Sequence, residues 1–235
     1  MSEMISPSNL LLDSLPEADR IGFLKKCDVV HLNFADVIYN AGDHIKYVYF
    51  PLQSIVSLVN TVDKNAGMEV ALIGNEGMLG ITVMLGSDFA PFQALVQNSG
   101  ATIRISSESF LKELRKRPAL EHKLKRYICV AFSQLVQTTV CNRFHVLEER
   151  LARLLLMLHD RMHSPHFHIT QELLAQMLGV RRVGVTKAAT SLKQQALITY
   201  IRGQMVINDV PGLEASSCIC YKIDKETYAR IFNAD

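Results

Sequence analysis

The hydrophobic period of this chain changes from strand-like to helical near Ser107, and that change restricts its fold more than any other feature. Before it, residues 29–105 read as strands. VYFPLQSIVSLVN (48–60) is rich in β-branched and aromatic residues, MEVALI (68–73) alternates, and ALVQNSGATIRIS (94–106) reads as two strands around Asn98-Ser99-Gly100. Turn signals recur at NAGD (40–43), DKNAG (63–67) and GNEG (74–77). Strands at that spacing predict a small antiparallel barrel or jelly roll. After the change, residues 107–162 hold little glycine, Pro118 as the one proline, and apolar residues at helical spacing. A short helical stretch over 10–27, broken at Pro16, precedes the strands. The expectation is an α+β chain in three parts, 1–118, 119–145 and 146–235, with a hinge at 144–146.

Within the middle part, Leu124, Ile128, Ala131, Leu135, Thr138, Asn142 and His145 recur at spacings of four and three. That is a coiled-coil seam, with Asn142 where a polar residue sets register. About 27 helical residues would span ~40 Å. Leu124, Ile128, Ala131, Leu135, Thr138 and Asn142 are therefore the dimerisation candidates. The same spacing also suits one helix face packed on the β-domain, and spacing alone leaves both readings open.

The stretch ITQELLAQMLGVRRVGVTKAATSLKQQALI (169–198) carries the clearest chemistry. Thr170 is a good N-cap, Glu172 suits the positive end of the helix dipole, and Gly179 can take the left-handed conformation that ends the helix. A second helix then runs from near Arg181 to Gln195, with Val185, Ala188, Ala189 and Leu192 on one face to pack against the first. Arg182, Val183, Thr186, Lys187 and Thr190 must point away. This is a helix-turn-helix, whose second helix enters the DNA major groove. Between 181 and 202 the cations Arg181, Arg182, Lys187, Lys193 and Arg202 stand with no acid, although the whole chain carries only +2. An arginine can bond guanine O6 and N7 together, and Val183 can meet a thymine methyl. Lys187, Lys193 and Arg202 suit phosphates. Gly184 costs about 1 kcal/mol in a helix interior, a cost that close approach to DNA would offset. The DNA-binding candidates are Thr170, Arg181, Arg182, Val183, Gly184, Thr186, Lys187, Thr190, Lys193 and Arg202. Residues 196–215 then predict a β-hairpin turning at Arg202-Gly203-Gln204, a wing with basic residues near its tip.

Composition narrows the alternatives. With 235 residues, 49% of them hydrophobic and 20% charged, the chain can build one large core or two modest ones. No apolar run reaches about 18 residues, so no transmembrane helix is expected. The acidic start MSEMISPSNLLLDSLPEADR lacks the basic region of a signal peptide. Five cysteines without tight pairing fit a reducing cytoplasm. There is no P-loop, zinc-protease, nucleophile-elbow or dinucleotide-glycine motif, so no enzyme is expected. A module that only binds a small ligand would account for the β-domain but leave 181–202 unexplained.

The order of β-domain, long helix and winged helix resembles the Crp/Fnr superfamily of bacterial transcription regulators. The likeness is carried by ERLARLLLMLHDR (149–161), the helix-turn-helix stretch and RGQMVINDVPGLE (202–214). NAGDHIKYVYFPLQSIVSLV (40–59) and IGNEGMLGITVMLGS (73–87) look like that family's cyclic-nucleotide-binding-type sensor domain. The resemblance implies a homodimer on double-stranded DNA of two-fold symmetric sequence, with half-sites about one helical turn apart. It also makes residues 161–168 a candidate surface for RNA polymerase.

The departures from that family are as telling. Its nucleotide-binding members carry a Gly-Glu pair for the ribose and an Arg-Ser or Arg-Thr pair for the cyclic phosphate. Here the corresponding residues are Gly80-Ile81 and Ala90-Pro91-Phe92-Gln93-Ala94. Missing the charge-assisted contact forfeits roughly 1.5–3 kcal/mol, so no useful cyclic AMP binding is expected and no cofactor is assigned. Members that sense oxygen need several N-terminal cysteines, whereas Cys27 is alone in the first 120 residues. Cys218 and Cys220 are read as small buried residues on one face of a closing strand, and Cys141 as a thiol on the helix rim. In HDRMHSPHFH (159–168), His159 and His163 have metal-ligand spacing but no clear third ligand, so that segment is read as a solvated linker and no metal is expected. Arg182 matches the family's base-reading arginine, while Val183 and Lys187 replace a glutamate and an arginine, so the preferred half-site should differ. The residues name neither the effector nor the direction of regulation.

Overall fold

The computed structural model describes residues 8–63, 66–162 and 164–233. The chain divides into two compact units, one running to Val59 and resuming over Ala71–Cys129, the other comprising Asn60–Val70 and Val130–Asp235. The middle of the expected turn at 63–67 lies outside the described residues.

The first unit opens with α1 (Leu10–Asp13) and α2 (Glu17–Leu24), separated by Pro16 at the N-cap of α2. Asn9 caps α1 through Oδ1 and donates Nδ2 to the carbonyl oxygens of Pro51 and Gly77. The strands are β1 (Asp28–Leu32), β2 (Val37–Tyr39), β3 (Tyr47–Pro51), β4 (Ile55–Asp63), β5 (Ala66–Ile73), β6 (Gln93–Asn98) and β7 (Gly100–Ser106). They form two open sheets, β1-β7-β3 and β2-β6-β4-β5. In the first, Asp28 pairs with Arg104 and Tyr47 with Ser106, both antiparallel. The chain crosses between the sheets on either side of β2, then changes sheets between β3 and β4 and again between β6 and β7. The strands flanking Ser99 therefore do not close a hairpin. At that last crossing a Cβ on Gly100 would come within 2.6 Å of the Ser54 backbone nitrogen, which explains the glycine. Alternation buries Val48 and Phe50 from β3, Ile103 and Ile105 from β7, and Ala94 and Val96 from β6. Phe23 meets Phe50 edge to face, ring centroids 5.5 Å apart.

The helical period takes over at α3 (Ser107–Lys116), capped by the Ser106 side chain. Next comes α4 (Pro118–Phe144), with proline at its first position, where the missing N–H costs nothing. The boundary between the units falls inside α4, after Cys129.

The second unit continues with α5 (Leu147–Met162), β8 (His166–His168), α6 (Gln171–Leu178), α7 (Arg182–Gln194), β9 (Ile198–Ile201), β10 (Gln204–Ile207), α8 (Val210–Ser216) and α9 (Cys220–Asn233). Helix α5 is its centre: Leu151, Ala152, Leu155 and Leu156 are fully buried, and α6, α7, α8 and α9 all pack on it. Two expectations are corrected. The supposed linker holds β8, which pairs with β10 and buries Phe167 between exposed His166 and His168. His163 lies outside the described residues. The supposed closing strand at Cys218 and Cys220 is the lead into α9, where Cys220, Tyr221 and Asp224 are buried at helical spacing. Among the described residues no helix is long and apolar enough to cross a membrane.

Candidate nucleic-acid interface

Local sequence positions the helix pair. The Thr170 hydroxyl accepts from the Leu173 N–H at 3.1 Å and starts α6. Gly179 ends it at φ 63° and ψ 39°, the left-handed region where glycine is least strained. Helix α7 follows with Arg181 at its N-cap in extended conformation and no acid in its first turn. Val185, Ala188, Ala189 and Leu192 are buried, as their spacing required. Arg181, Arg182, Val183, Thr186, Lys187, Thr190 and Lys193 are exposed. Val183, 61% exposed, is a large apolar side chain in water with polar neighbours. The N-terminal end of α7 thus joins a helix-dipole positive pole to two arginines, which attracts anions.

Gly184 also has a neighbour within the protein. An added Cβ would lie 2.8 Å from Leu147 Cδ2, the movable end of a side chain on α5, and Gly184 is half-buried. The wing turns on two residues, Arg202 and Gly203, at φ 50° and 83°, with Ile201 paired to Gln204. Positive φ at both positions is what a two-residue turn joining right-twisted strands needs. A Cβ on Gly203 would also come within 2.7 Å of His168 Nε2, the far end of an exposed side chain that can move aside.

Two residues joined the interface without any sequence signal. Gln171 Oε1 lies 2.7 Å from the Thr186 hydroxyl, which couples the start of α6 to the exposed face of α7. Tyr200 donates its hydroxyl to the Ile169 carbonyl at 2.8 Å. Burial pushes its pKa up, and the Arg182 charge pulls the other way. Together Thr170, Gln171, Arg182, Tyr200, Arg202 and Gly203 line a cleft of about 380 Å³. Its lining takes in the N-terminal end of α6 and two arginines, a chemistry suited to a phosphate.

Residues 149–216 match the Crp-like helix-turn-helix domain. The fold matches solved regulators over most of its length. FixK2 from Bradyrhizobium japonicum shares 14% identity at a TM-score of 0.70, covering 82% of this chain and 98% of that one. The c-di-GMP responsive global regulator CLP of Xanthomonas campestris shares 13% at 0.68, covering 83% and 100%. A CRP-family transcriptional regulator of Thermus thermophilus shares 17% at 0.68, covering 80% and 96%. The chain shares the fold of these solved regulators, and residues 149–216 form a Crp-like helix-turn-helix domain. No curated protein sequence matches it.

A Crp/Fnr-type fold directs attention to two further places. In the first unit, Gly80 has φ 87° and precedes a 3-10 turn, Ile81–Leu85, while Ala90 and Ala94 are buried. Gln93 is committed elsewhere, donating Nε2 to Asn40 Oδ1 at 2.9 Å. The lone N-terminal cysteine, Cys27, is pushed up to about 12 by burial and by Asp28, with Arg117 opposing.

Along α4, the residues of the expected seam differ in burial. Leu124 is fully buried in the core of the first unit and is not free to meet a partner. Ile128, Ala131, Leu135 and Thr138 are half-buried, and Asn142 donates to Met68 Sδ at 3.9 Å. The large apolar residues of α4 left in water are Phe132, Val136, Val140 and Phe144, 68%, 50%, 41% and 75% exposed, at spacings of four. Cys141, expected on the rim, is buried.

Proposed function

We propose that the protein is a homodimeric, sequence-specific DNA-binding transcription regulator of the cytoplasm that works without cyclic AMP. The observation carrying this reading is the division of α7 into a buried anchor, Val185, Ala188, Ala189 and Leu192, and an exposed face of cations, hydroxyls and one valine. An acid-free, partly apolar face of that kind suits a major groove better than bulk water. Arg182 and Val183 read bases, with Thr186 and Thr190 beside them. Lys187, Lys193 and Arg202 hold phosphates, and Thr170, Gln171 and Arg181 border the backbone cleft.

Dimerisation runs through Phe132, Val136 and Val140, with Ile128, Ala131, Leu135, Thr138 and Asn142 flanking, since an unpartnered apolar stripe on a long helix favours a second copy. A two-fold pair of α7 helices would meet half-sites ~34 Å apart. Arg161 is buried and donates to the Met157 carbonyl at 3.0 Å. Any RNA polymerase contact in this region would therefore use His166 and His168.

The apolar residues at Gly80-Ile81 and Ala90-Pro91 leave a cyclic phosphate without a cation and a ribose without a carboxylate, which supports independence from cyclic AMP. Selection from an unbiased pool of duplexes at moderate salt tests the reading. Enrichment of a two-fold symmetric motif is the expected result, and a pool left unenriched would remove the proposal.

A further inference from the structure

Three cysteines and a histidine outside the DNA-facing surface meet in the second unit. Cys141 lies in the last turn of α4 and His145 directly after it, an i, i+4 pair. Cys218 and Cys220 arrive from the other direction, at the lead into α9. One sulfur from each cysteine and one imidazole nitrogen all lie within 4.8 Å of one another. Cys141 Sγ is 3.5 Å from Cys218 Sγ, and Cys220 Sγ is 3.4 Å from His145 Nδ1. All three cysteines are buried and unbridged, and 3.5 Å is well beyond a disulfide bond of about 2.05 Å.

We infer that Cys141, His145, Cys218 and Cys220 form a structural zinc site, three thiolates and one imidazole closing a tetrahedral shell around a single ion. The spacing matches that shell. Zinc–sulfur bonds of about 2.3 Å and zinc–nitrogen bonds of about 2.0–2.1 Å at tetrahedral angles put sulfurs about 3.8 Å apart and sulfur about 3.5 Å from nitrogen. An iron–sulfur cluster does not fit, because its core of several irons sits between the cysteines and holds them further apart. The soft donor set, with no open position and no carboxylate, favours zinc over harder ions.

One neighbouring side chain suits a charged sulfur. Gln137 Nε2 donates to Cys220 Sγ at 2.9 Å, a bond that a thiolate accepts better than a thiol. Three thiolates, a neutral imidazole and Zn²⁺ leave one net negative charge. Arg150 and Arg153 lie beside it, each with a buried Nε–H lacking a hydrogen-bond partner. Arg153 is otherwise paired with buried Asp224 at 2.7 Å. Binding releases the thiol protons to solvent, so affinity rises with pH. The ion would join the end of α4 to the start of α9 across the break between α4 and α5, and so stabilise the second unit. This inference does not depend on DNA binding, and its readouts contain no DNA.

Elemental analysis of the full-length protein, purified under reducing conditions and gel-filtered, decides the matter. The expected content is one zinc per chain. Cys218→Ser and Cys220→Ser each lower it at least about tenfold, Gln137→Ala weakens affinity about 10–100-fold, and Cys27→Ser and Cys129→Ser leave it unchanged. If a cysteine variant fails to fold, wild-type protein loaded with Co²⁺ still gives an answer, through intense tetrahedral ligand-field bands and thiolate charge-transfer absorption. Wild-type protein that neither carries nor takes up zinc overturns the inference. So does zinc retained by both folded serine variants, or iron or copper in its place.

Discussion

The loop region around Gly80 and Ala90 in the first unit and the exposed face of α7 in the second have gone opposite ways in charge. The first has apolar or neutral residues where the cyclic-nucleotide-binding pattern needs a carboxylate and an arginine. The second gathers Arg181, Arg182, Lys187 and Lys193 on a surface free of acids. Both regions keep the packing that their fold needs: Val48, Phe50 and Ile105 are buried in one unit, Val185, Ala189 and Leu192 in the other. The contrast teaches that a fold is maintained by its apolar interior while ligand chemistry rides on a few replaceable surface groups.

Four measurements can break or sharpen that contrast. Phe50→Ala, at a fully buried ring touching Phe23, should cost about 3–5 kcal/mol in denaturant unfolding. Whatever fraction remains folded should select the same DNA sequence, and a changed motif would tie the two regions together. Arg182→Ala should lose about 1–3 kcal/mol of DNA affinity and relax preference at one base position per half-site, leaving unfolding within about 0.5 kcal/mol. A uniform loss across sequences would move Arg182 to phosphate contact. Thr170→Ala removes the cap bond to Leu173 and should cost ~1 kcal/mol of stability, measurable as a lower melting midpoint. The smallest effect is a null one. A ligand at about 100 times its Kd adds about 2.7 kcal/mol of stability, whereas millimolar cyclic AMP should leave the melting curve unmoved. A shift would show that the first unit has kept a nucleotide site by other contacts.

How much of this was legible depends on the distance over which the information is written. The cap at Thr170, the left-handed Gly179 and the α7 anchor residues are all set within one or two helical turns, so period and turn chemistry read them correctly. The wing hairpin was visible too, because a two-residue turn with positive φ leaves a glycine in the sequence. Gln171 and Tyr200 were not visible. Each becomes part of the interface only when α6, α7 and the wing come together, and neither residue type announces that.

The seam on α4 shows the limit of periodicity. A spacing of four and three marks an apolar face without saying what covers it, and the first unit had already taken Leu124 for its own core. The cysteines show a stricter limit. Cys218-Ile219-Cys220 alternates like a strand, yet the chain enters a helix there, and its partner Cys141 lies 77 residues earlier. The amino-acid sequence by itself determined the two periods, the helix pair with its charged face, and the missing nucleotide-binding groups. Only the tertiary structure decided which apolar stripe stays uncovered and that three cysteines and a histidine converge. Those outcomes are contacts between distant segments, and a one-dimensional pattern records only the neighbours a residue has along the chain.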